Sequence, residues 1–187
     1  MPTNKLILGF TGLISSGKGT AAEYLRDTYS ASMYTFSTML KDALNRFYLE
    51  INRDHLIKIS EIMRGTFGED VMAKTMAKDV ASDPNPIIIV DGIRRLADIE
   101  HLKRLEGFVM IEIFADPEVR YQRLIARSEK ADDKTKTYEQ FLEDHKRSTE
   151  VSILEVAKYA TERVDNNGDI EDLHKQLDAL IQKYRNK

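Results

Sequence analysis

The 187-residue sequence predicts an α/β protein of three layers, in which helices cover both faces of a five-stranded parallel sheet. Short apolar runs alternate with segments of helical periodicity along the chain. One run, residues 87–90, reads Ile-Ile-Ile-Val and suits the centre of a sheet that is covered on both faces. The connections between runs are long enough to hold the helices that parallel strands require. A chain of this length accommodates one such domain, residues 1–187.

Each predicted strand is a short apolar run bounded by turn-forming residues. The first run leads into Gly12, and the fourth begins directly after Gly107. Pro84 and Pro86 end the helix that precedes the third run, because proline lacks an N–H and restricts the residue before it. The strands are predicted at residues 5–10, 33–36, 87–90, 108–114 and 160–164.

The predicted helices are the segments in which apolar residues recur every three or four positions. Residues 38–82 have this pattern almost throughout, with breaks at residues 52–54 and 65–68, where Asn, Asp and Gly occur. Residues 128–137 are polar and predict a loop. The other helices are predicted at residues 18–29, 96–105, 117–127, 138–159 and 170–184.

Composition and charge exclude several classes of function. The formal charge is −3, from 28 Lys and Arg against 31 Asp and Glu, so the basic surface of a non-specific nucleic-acid binder is not expected. The sequence contains no cysteine, which excludes disulfides, thiolate nucleophiles and cysteine-based zinc sites. No apolar run approaches the ~20 residues of a membrane span, and the first residues do not resemble a signal peptide. We therefore expect a cytoplasmic protein with no membrane partner.

A glycine-containing segment between the first predicted strand and helix carries the strongest functional signal. Residues 12–20 read Gly-Leu-Ile-Ser-Ser-Gly-Lys-Gly-Thr, in the register of a phosphate-binding loop. Glycine lets the backbone approach phosphate without a Cβ in the way, and successive N–H groups at the start of a helix hold the anion. Lys18 supplies a positive charge for the β- and γ-phosphates. The segment predicts an ATP site formed by Gly12, Ser15, Ser16, Gly17, Lys18, Gly19 and Thr20.

The residue after this lysine departs from the usual pattern. A hydroxyl side chain at that place normally contacts Mg²⁺, whereas this sequence has Gly19, and the hydroxyl follows in Thr20. Asp91 directly follows the run 87–90, so its carboxylate is expected at the carboxyl edge of the sheet, near the loop. We therefore expect Mg²⁺ to be held by phosphate oxygens, by Asp91 through water and weakly by Thr20. The alternative is that Asp91 only begins the turn with Gly92.

The Gly-Lys-Gly-Thr form of the loop resembles that of adenylate-kinase-like enzymes in the P-loop nucleotide kinase superfamily. The resemblance extends over nearly the whole chain and includes dephospho-coenzyme A kinases. It is nearest to small, mostly archaeal, kinase-related P-loop proteins. It implies a P-loop kinase fold with ATP and Mg²⁺ as cofactors and with three parts: a core (residues 1–36, 83–122 and 151–187), a helical acceptor-binding insert (37–82) and a lid (123–150).

The resemblance also implies an arginine that binds the acceptor. Residues 91–95 read Asp-Gly-Ile-Arg-Arg and are similar to the Asp-Gly-Phe-Pro-Arg stretch of adenylate kinases, whose arginine holds the acceptor's phosphate. Proline is missing here, so both Arg94 and Arg95 fit the role. We favour Arg94.

Two further regions are candidates for acceptor binding. Residues 36–41 are similar to the stretch that opens the acceptor-binding insert, which assigns Ser37 and Lys41 to the acceptor. Lys41 stands where the family has an arginine, and a lysine cannot form the bidentate fork of a guanidinium. Arg64 is a further candidate cation, for which a solvated helix face is an equal alternative.

Three arginines, Arg120, Arg123 and Arg127, recur at spacings of three and four in one predicted helix. Lid helices of nucleoside monophosphate kinases carry arginines in this way, so the resemblance implies that Arg123 and Arg127 neutralise the transferring phosphoryl group. The alternative is a solvated basic face. Arg147 is a second candidate cation of the lid, and Asn167 lies in an Asn-Asn-Gly stretch that resembles the turn against adenine.

Together these residues favour a phosphotransferase that moves the γ-phosphoryl group of ATP to a small phosphate-bearing acceptor, a nucleoside or deoxynucleoside monophosphate. The candidate cations outside the loop support this interpretation, because a second anionic ligand would explain them. The alternatives are a dephospho-coenzyme A kinase-like enzyme and a slow ATPase switch or assembly factor acting on a protein or RNA partner. Nucleic acid is otherwise not an expected partner, and we expect a monomer or a homodimer.

Overall fold

The computed structural model describes residues 5–127, 136–146 and 148–185. The strands are β1 (Leu6–Thr11), β2 (Ser32–Thr35), β3 (Ile87–Asp91), β4 (Phe108–Phe114) and β5 (Glu162–Asp165). The helices are α1 (Lys18–Tyr29), α2 (Phe36–Arg46), α3 (Arg53–Phe67), α4 (Val71–Ser82), α5 (Leu96–Ile99), α6 (Pro117–Arg127), α7 (Tyr138–Asp144), α8 (Ser148–Ala157) and α9 (Ile170–Arg185). A 3₁₀ turn spans Leu102–Arg104.

The strands form one parallel sheet in the order β2-β3-β1-β4-β5. β1 lies at its centre, where Leu8 pairs with Ile89 on one side and with Val109 on the other. This confirms the predicted five-stranded parallel sheet within the described residues. Because β1 and β3 are neighbours, the segment after β1 and the end of β3 lie at the same edge of the sheet, where ligands bind in folds of this kind.

The two faces of the sheet enter separate cores, because successive side chains of a strand point to opposite sides. On one face, Leu8 and Ile89 pack with Leu25 of α1 and with α9. On the other face, Ile7 and Ile88 pack with α4, α5 and α8. The predicted three-layer α/β/α arrangement is confirmed.

Several helix boundaries differ from the prediction. The predicted helix 96–105 is a single turn, α5, followed by the 3₁₀ turn. The predicted helix 138–159 consists of two helices, α7 and α8. Gly65 lies inside α3, and the break falls instead at Gly68, whose φ of 101° is disfavoured for other residues.

The three helices between β2 and β3 are not equivalent. Helix α4, which the sequence assigned to the insert, packs on the sheet through buried side chains that include Met76 and Val80. Helix α3 has no buried residue, and the segment before it exposes Phe47 and Tyr48. In the described parts of the chain, every helix is too short or too polar to cross a membrane.

Candidate active site

The loop between β1 and α1 has the backbone geometry of a phosphate-binding loop. Gly12 and Gly17 have φ values of 150° and 97°, and Ser15 is left-handed with a φ of 60°. A Cβ on Gly17 would collide with the Asn166 side chain, and one on Gly12 would collide with the backbone carbonyl of Ile113. Glycine is therefore required at both positions by the surroundings of the loop. We call residues 12–20 the P-loop.

Lys18 folds back over the beginning of the P-loop. Its Nζ donates to the carbonyl oxygens of Gly12 at 2.6 Å and Leu13 at 3.0 Å. Burial lowers the pKa of Lys18 to about 8, and the negative charge of Asp91 opposes this shift. The ammonium is thus held in place at the loop with part of its hydration removed, which strengthens its attraction for an anion.

Asp91 ends β3 at the carboxyl edge of the sheet. Burial raises the pKa of its carboxyl group, and the charge of Lys18 is the largest of the effects that oppose the rise. Its Oδ1 is buried and has no hydrogen-bond partner among the described residues. A buried carboxylate oxygen without a partner is a polar group that remains available to a ligand.

Two serine hydroxyls of the P-loop are also buried polar groups that a ligand could bind. Ser15 Oγ and Ser16 Oγ are buried and have no hydrogen-bond partner within the described ranges. Together with Asp91 Oδ1, three polar groups around Lys18 are left for a ligand to satisfy. In the part of the chain that the structure describes, no cluster of three or more acidic or histidine side chains suits a metal ion.

A cavity of about 250 Å³ opens beside the P-loop, at the start of α1. Its wall combines the apolar side chains of Ile170 and Leu173 with polar groups. The remaining lining residues are Gly17, Thr20, Arg123 and Asn166. The hydroxyl-bearing Thr20, predicted as a weak Mg²⁺ ligand, therefore lies on the cavity side of the loop.

The second of two consecutive asparagines was predicted for this site, and the structure places the first one there. Asn166 is 5% exposed, lines the cavity and donates from Nδ2 to Ser16 O at 2.8 Å. Asn167 instead accepts from Asp116 N through Oδ1 at 2.7 Å. The Asn-Asn-Gly stretch identifies this turn in the sequence. It does not show which of the two asparagine side chains lines the cavity.

The three arginines of α6 have different surroundings. Arg120 is only 2% exposed and donates to Ala115 O at 3.0 Å and to Ile14 O at 3.4 Å. Its guanidinium lies 5.3 Å from the ring centroid of Phe141. Arg120 therefore packs the beginning of α6 against the P-loop and α7, a role the sequence did not separate from those of its neighbours.

Arg123 and Arg127 lie further along the same helix. Arg123 lines the cavity, donates to Gly168 O at 3.5 Å, and keeps one buried guanidinium nitrogen, Nη1, without a hydrogen-bond partner within the described ranges. Arg127 is exposed at the end of α6. Arg147 and residues 128–135 of the predicted lid lie outside the described residues.

The predicted acceptor residues begin where β2 ends beside Asp91. Thr35 pairs with Asp91 in the sheet, and its hydroxyl lies 2.9 Å from Ser37 Oγ and 2.8 Å from Thr38 Oγ1. Thr35 also caps α2 by accepting from Thr38 N. Ser37 thus belongs to a hydroxyl cluster next to Asp91, whereas Lys41 is exposed one turn later.

The remaining candidate cations differ in what they contact. Arg94 is exposed, and its charge acts on both Lys18 and Asp91, so its side chain lies near the site. Arg95 is also exposed, and its backbone N–H donates to Asp98 Oδ2 at 3.0 Å.

Arg64 makes protein contacts that account for its position. It approaches Asp98 at 3.6 Å and donates to Glu69 O at 2.7 Å, with its side chain 10% exposed. In this structure it ties α3 to α5, so the solvated helix face considered from the sequence is not what is observed.

A parallel sheet whose central strand leads into such a loop, with a lysine at the start of the following helix and a carboxylate at the end of the neighbouring strand, is characteristic of P-loop kinase-like proteins. The chain belongs to a family of AAA domains, AAA_17, whose profile matches residues 11–140.

The chain is also similar to curated archaeal proteins. It is 26% identical to a UPF0200 protein of Sulfurisphaera tokodaii over 95% of this chain and 96% of that one. It is 28% identical to a UPF0200/UPF0201 protein of Archaeoglobus fulgidus over 95% of this chain, but spans only 55% of that protein's length. These relatives support the predicted resemblance to archaeal P-loop proteins.

Solved structures show the same fold. The chain matches a shikimate kinase from Bacteroides thetaiotaomicron with a TM-score of 0.64 and 15% identity, over 96% of this chain and 98% of that one. It matches TT1252 from Thermus thermophilus with a TM-score of 0.60 and 21% identity, over 96% and 97% of the two chains. The resemblance to P-loop kinases is therefore confirmed at the level of the fold.

Proposed function

We propose that the protein is an ATP- and Mg²⁺-dependent phosphotransferase that acts on a small phosphate-bearing acceptor, a nucleoside or deoxynucleoside monophosphate. The observation that carries the proposal is the charge arrangement around Lys18. Its ammonium lies on the P-loop, where the charges of the Asp91 carboxylate and the Arg94 guanidinium both act on it. A phosphoryl group held there would meet positive charge from two elements of the fold, α1 and the turn after β3.

The cavity beside the P-loop is the proposed site of the nucleoside. Its volume of about 250 Å³ and its apolar wall of Ile170 and Leu173 suit a planar base. The guanidinium of Arg123 can stack on such a ring, an interaction that arginine makes readily. In this proposal Arg123 lies at the base end of the nucleotide, whereas the sequence assigned it to the transferring phosphoryl group.

The P-loop is the proposed site of the triphosphate. Its backbone N–H groups and the N-terminus of α1 attract the phosphates, and Lys18 adds a full charge. Mg²⁺ bound with the triphosphate neutralises charge on the phosphate oxygens. The unpartnered Asp91 Oδ1 suits this ion because a carboxylate can hold one of its water ligands.

The acceptor is proposed to lie between Asp91, the hydroxyl cluster at Ser37 and the cations Arg94 and Lys41. In the reaction, an oxygen of the acceptor forms a bond to the γ-phosphorus, and the bond from that phosphorus to the β,γ-bridging oxygen breaks. ADP leaves with the electron pair. A phosphate oxygen is already ionised at neutral pH, so the chain needs to supply positioning and charge neutralisation rather than a nucleophile or a strong base.

The test is an acceptor panel. Purified protein with ATP and Mg²⁺ is assayed for ADP release with each ribo- and deoxyribonucleoside monophosphate and with dephospho-coenzyme A. We expect ADP release to rise sharply with one nucleoside monophosphate. Lys18→Ala should lose at least about 100-fold in rate, by analogy with the removal of one transition-state donor, and exposed Lys103→Ala serves as the matched control.

Three outcomes would contradict the proposal. A response confined to dephospho-coenzyme A would assign the acceptor to the coenzyme precursor. ATP hydrolysis that no small molecule stimulates, but that an added RNA or protein accelerates, would indicate the switch or assembly factor. Turnover retained in Lys18→Ala would exclude the P-loop as the site of transfer.

A further inference from the structure

Charged side chains contact both backbone polar groups of Ile14, a residue in the first half of the P-loop. Arg120 Nη1 donates to Ile14 O at 3.4 Å, and Ile14 N donates to Glu150 Oε2 at 3.5 Å. The second distance is long for a hydrogen bond and indicates mainly electrostatic attraction. Glu150, from the first turn of α8, thus places a carboxylate against a backbone N–H of the phosphate loop.

The surroundings of Glu150 are those that a phosphate group would have. Burial lowers the pKa of Lys18, and Glu150 is one of the two negative charges that oppose this shift. Burial also lowers the pKa of Arg120, where Glu150 is the strongest opposing charge. The carboxylate therefore contacts an amide N–H, and its charge acts on an ammonium and a guanidinium.

The position of Ile14 along the loop identifies the phosphate with which Glu150 competes. The cavity is lined by Gly17 and Thr20, so the nucleoside lies at the α1 end of the loop. Lys18 Nζ, which serves the outermost phosphates, is bonded to Gly12 O and Leu13 O at the opposite end. The Ile14 N–H lies at this same end of the loop, so a terminal phosphate held there would come close to it and to Glu150.

We propose that Glu150 is a specificity-determining residue that competes with the terminal phosphate for the Ile14 N–H and so distinguishes a nucleoside triphosphate from a diphosphate. This inference rests on the proposed nucleotide site and adds to it a group that responds to the third phosphate. Two negative groups cannot share one N–H, because their repulsion in a partly buried site is large. The carboxylate must therefore withdraw when a γ-phosphate enters, whereas the phosphates of a diphosphate leave it in place.

The structure of α8 limits how this withdrawal occurs. Ile153 and Val156 are 3% and 0% exposed, and Val156 packs in the core on one face of the sheet. The second half of α8 is therefore fixed. The response to a triphosphate is confined to the Glu150 side chain and the first turn of the helix.

The test compares nucleotide affinities of variants at this position. The dissociation constants of the β,γ-imido analogue of ATP and of ADP, each with Mg²⁺, are measured by calorimetric titration of the wild-type protein and Glu150→Gln. We expect Glu150→Gln to bind the triphosphate analogue about tenfold more tightly and ADP within about twofold of the wild type. Glu155→Gln is the matched control, because Glu155 lies on the same helix and, within the described ranges, forms an exposed pair with Lys158 alone.

A second variant separates the effect of the charge of Glu150 from the effect of its side-chain length. Glu150→Asp keeps the charge on a shorter side chain, so its ratio of the two dissociation constants should lie between those of the wild type and Glu150→Gln. An equal effect of Glu150→Gln on both nucleotides, no effect, or a weaker triphosphate affinity would overturn the inference while leaving the nucleotide site intact. A wild-type protein that binds neither nucleotide would overturn the proposed function itself.

Discussion

Asn166 Nδ2 donates a hydrogen bond to the backbone carbonyl of Ser16 at 2.8 Å, which joins the turn after β5 to the P-loop across 150 residues of sequence. The same side chain lines the cavity. It thereby fixes the P-loop relative to the wall of the proposed base site. Each of the following predictions tests one contact of this arrangement.

Asn166→Ala should lower both stability and nucleotide affinity. The substitution leaves the buried Ser16 carbonyl without its donor, which costs about 1–3 kcal/mol in the free energy of unfolding. It also removes a polar group from the cavity, and we expect ATP to bind about tenfold more weakly. Urea denaturation and calorimetric titration measure the two effects. Asn167→Ala should change ATP affinity less, and the reverse order would restore Asn167 as the residue at the base.

Gly17→Ala should disrupt the P-loop, and a double variant should show why. The φ of 97° disfavours any other residue, and the new Cβ collides with Asn166. We expect a loss of roughly 2–4 kcal/mol in the free energy of unfolding. Combining it with Asn166→Ala should remove the collision but not the backbone strain, so the two losses should be less than additive.

Gly19→Ala is the matched stability control for that substitution. A Cβ at Gly19 meets no atom within 4 Å, and the residue is helical. Because alanine favours helix over glycine, we expect unchanged or slightly higher stability, by up to about 1 kcal/mol. A destabilisation equal to that of Gly17→Ala would show that neither the φ of Gly17 nor the collision with Asn166 explains the effect of that substitution.

ATP affinity should fall as the pH rises above the pKa of Lys18, which is about 8. Phosphate favours the ammonium form, so binding takes up a proton once the free protein has lost it, and the affinity falls by up to tenfold per pH unit. Below about pH 7 this residue causes no pH dependence. Titrations between pH 7 and 9.5 test this, with Lys18→Ala as the variant that should lack the effect.

As the pH rises, the free energy of unfolding of the nucleotide-free protein should increase, whereas its ATP affinity decreases. The pKa of Lys18 is about 8 in the folded chain and ordinarily 10.5, so the unfolded chain binds more protons between these values. The contribution of Lys18 to the free energy of unfolding therefore rises from pH 8 to 10.5. The difference in unfolding free energy between wild type and Lys18→Ala isolates it, and a difference that is constant over this range would contradict the lowered pKa.

Arg94→Ala should raise the apparent KM for the acceptor more than that for ATP. Its charge acts on Lys18 and Asp91, and Arg94 follows β3, which lies on the opposite side of β1 from β5, whose following turn lines the cavity. We expect an increase of about tenfold in the acceptor's KM. Arg95→Ala is the matched control and should change neither constant by more than about twofold. Equal effects of Arg94→Ala on both substrates would assign Arg94 to the transferring phosphoryl group.

Local patterns were sufficient to predict the sheet and the centre of the site. The run 87–90 is apolar on both faces, as expected of a strand in a sheet that helices cover on both sides. The glycines and Lys18 of the P-loop lie within nine consecutive residues, 12–20. Asp91 follows the strand directly, so its place at the sheet edge depends only on where the strand ends. These features do not depend on packing between distant segments.

Tertiary packing decided which of several similar residues lies at the loop and which at the cavity. The spacing of Arg120, Arg123 and Arg127 places them on one helix, but only the contacts of α6 with the P-loop and the cavity separate buried Arg120 from Arg123. Arg64 is held by Asp98, and Glu150 meets Ile14 from α8. The sequence by itself determined the strands, the helices and the phosphate loop, because each of these depends mainly on neighbouring residues. The orientation of the side chains around the loop depends on contacts across as many as 150 residues, which only the tertiary structure determines.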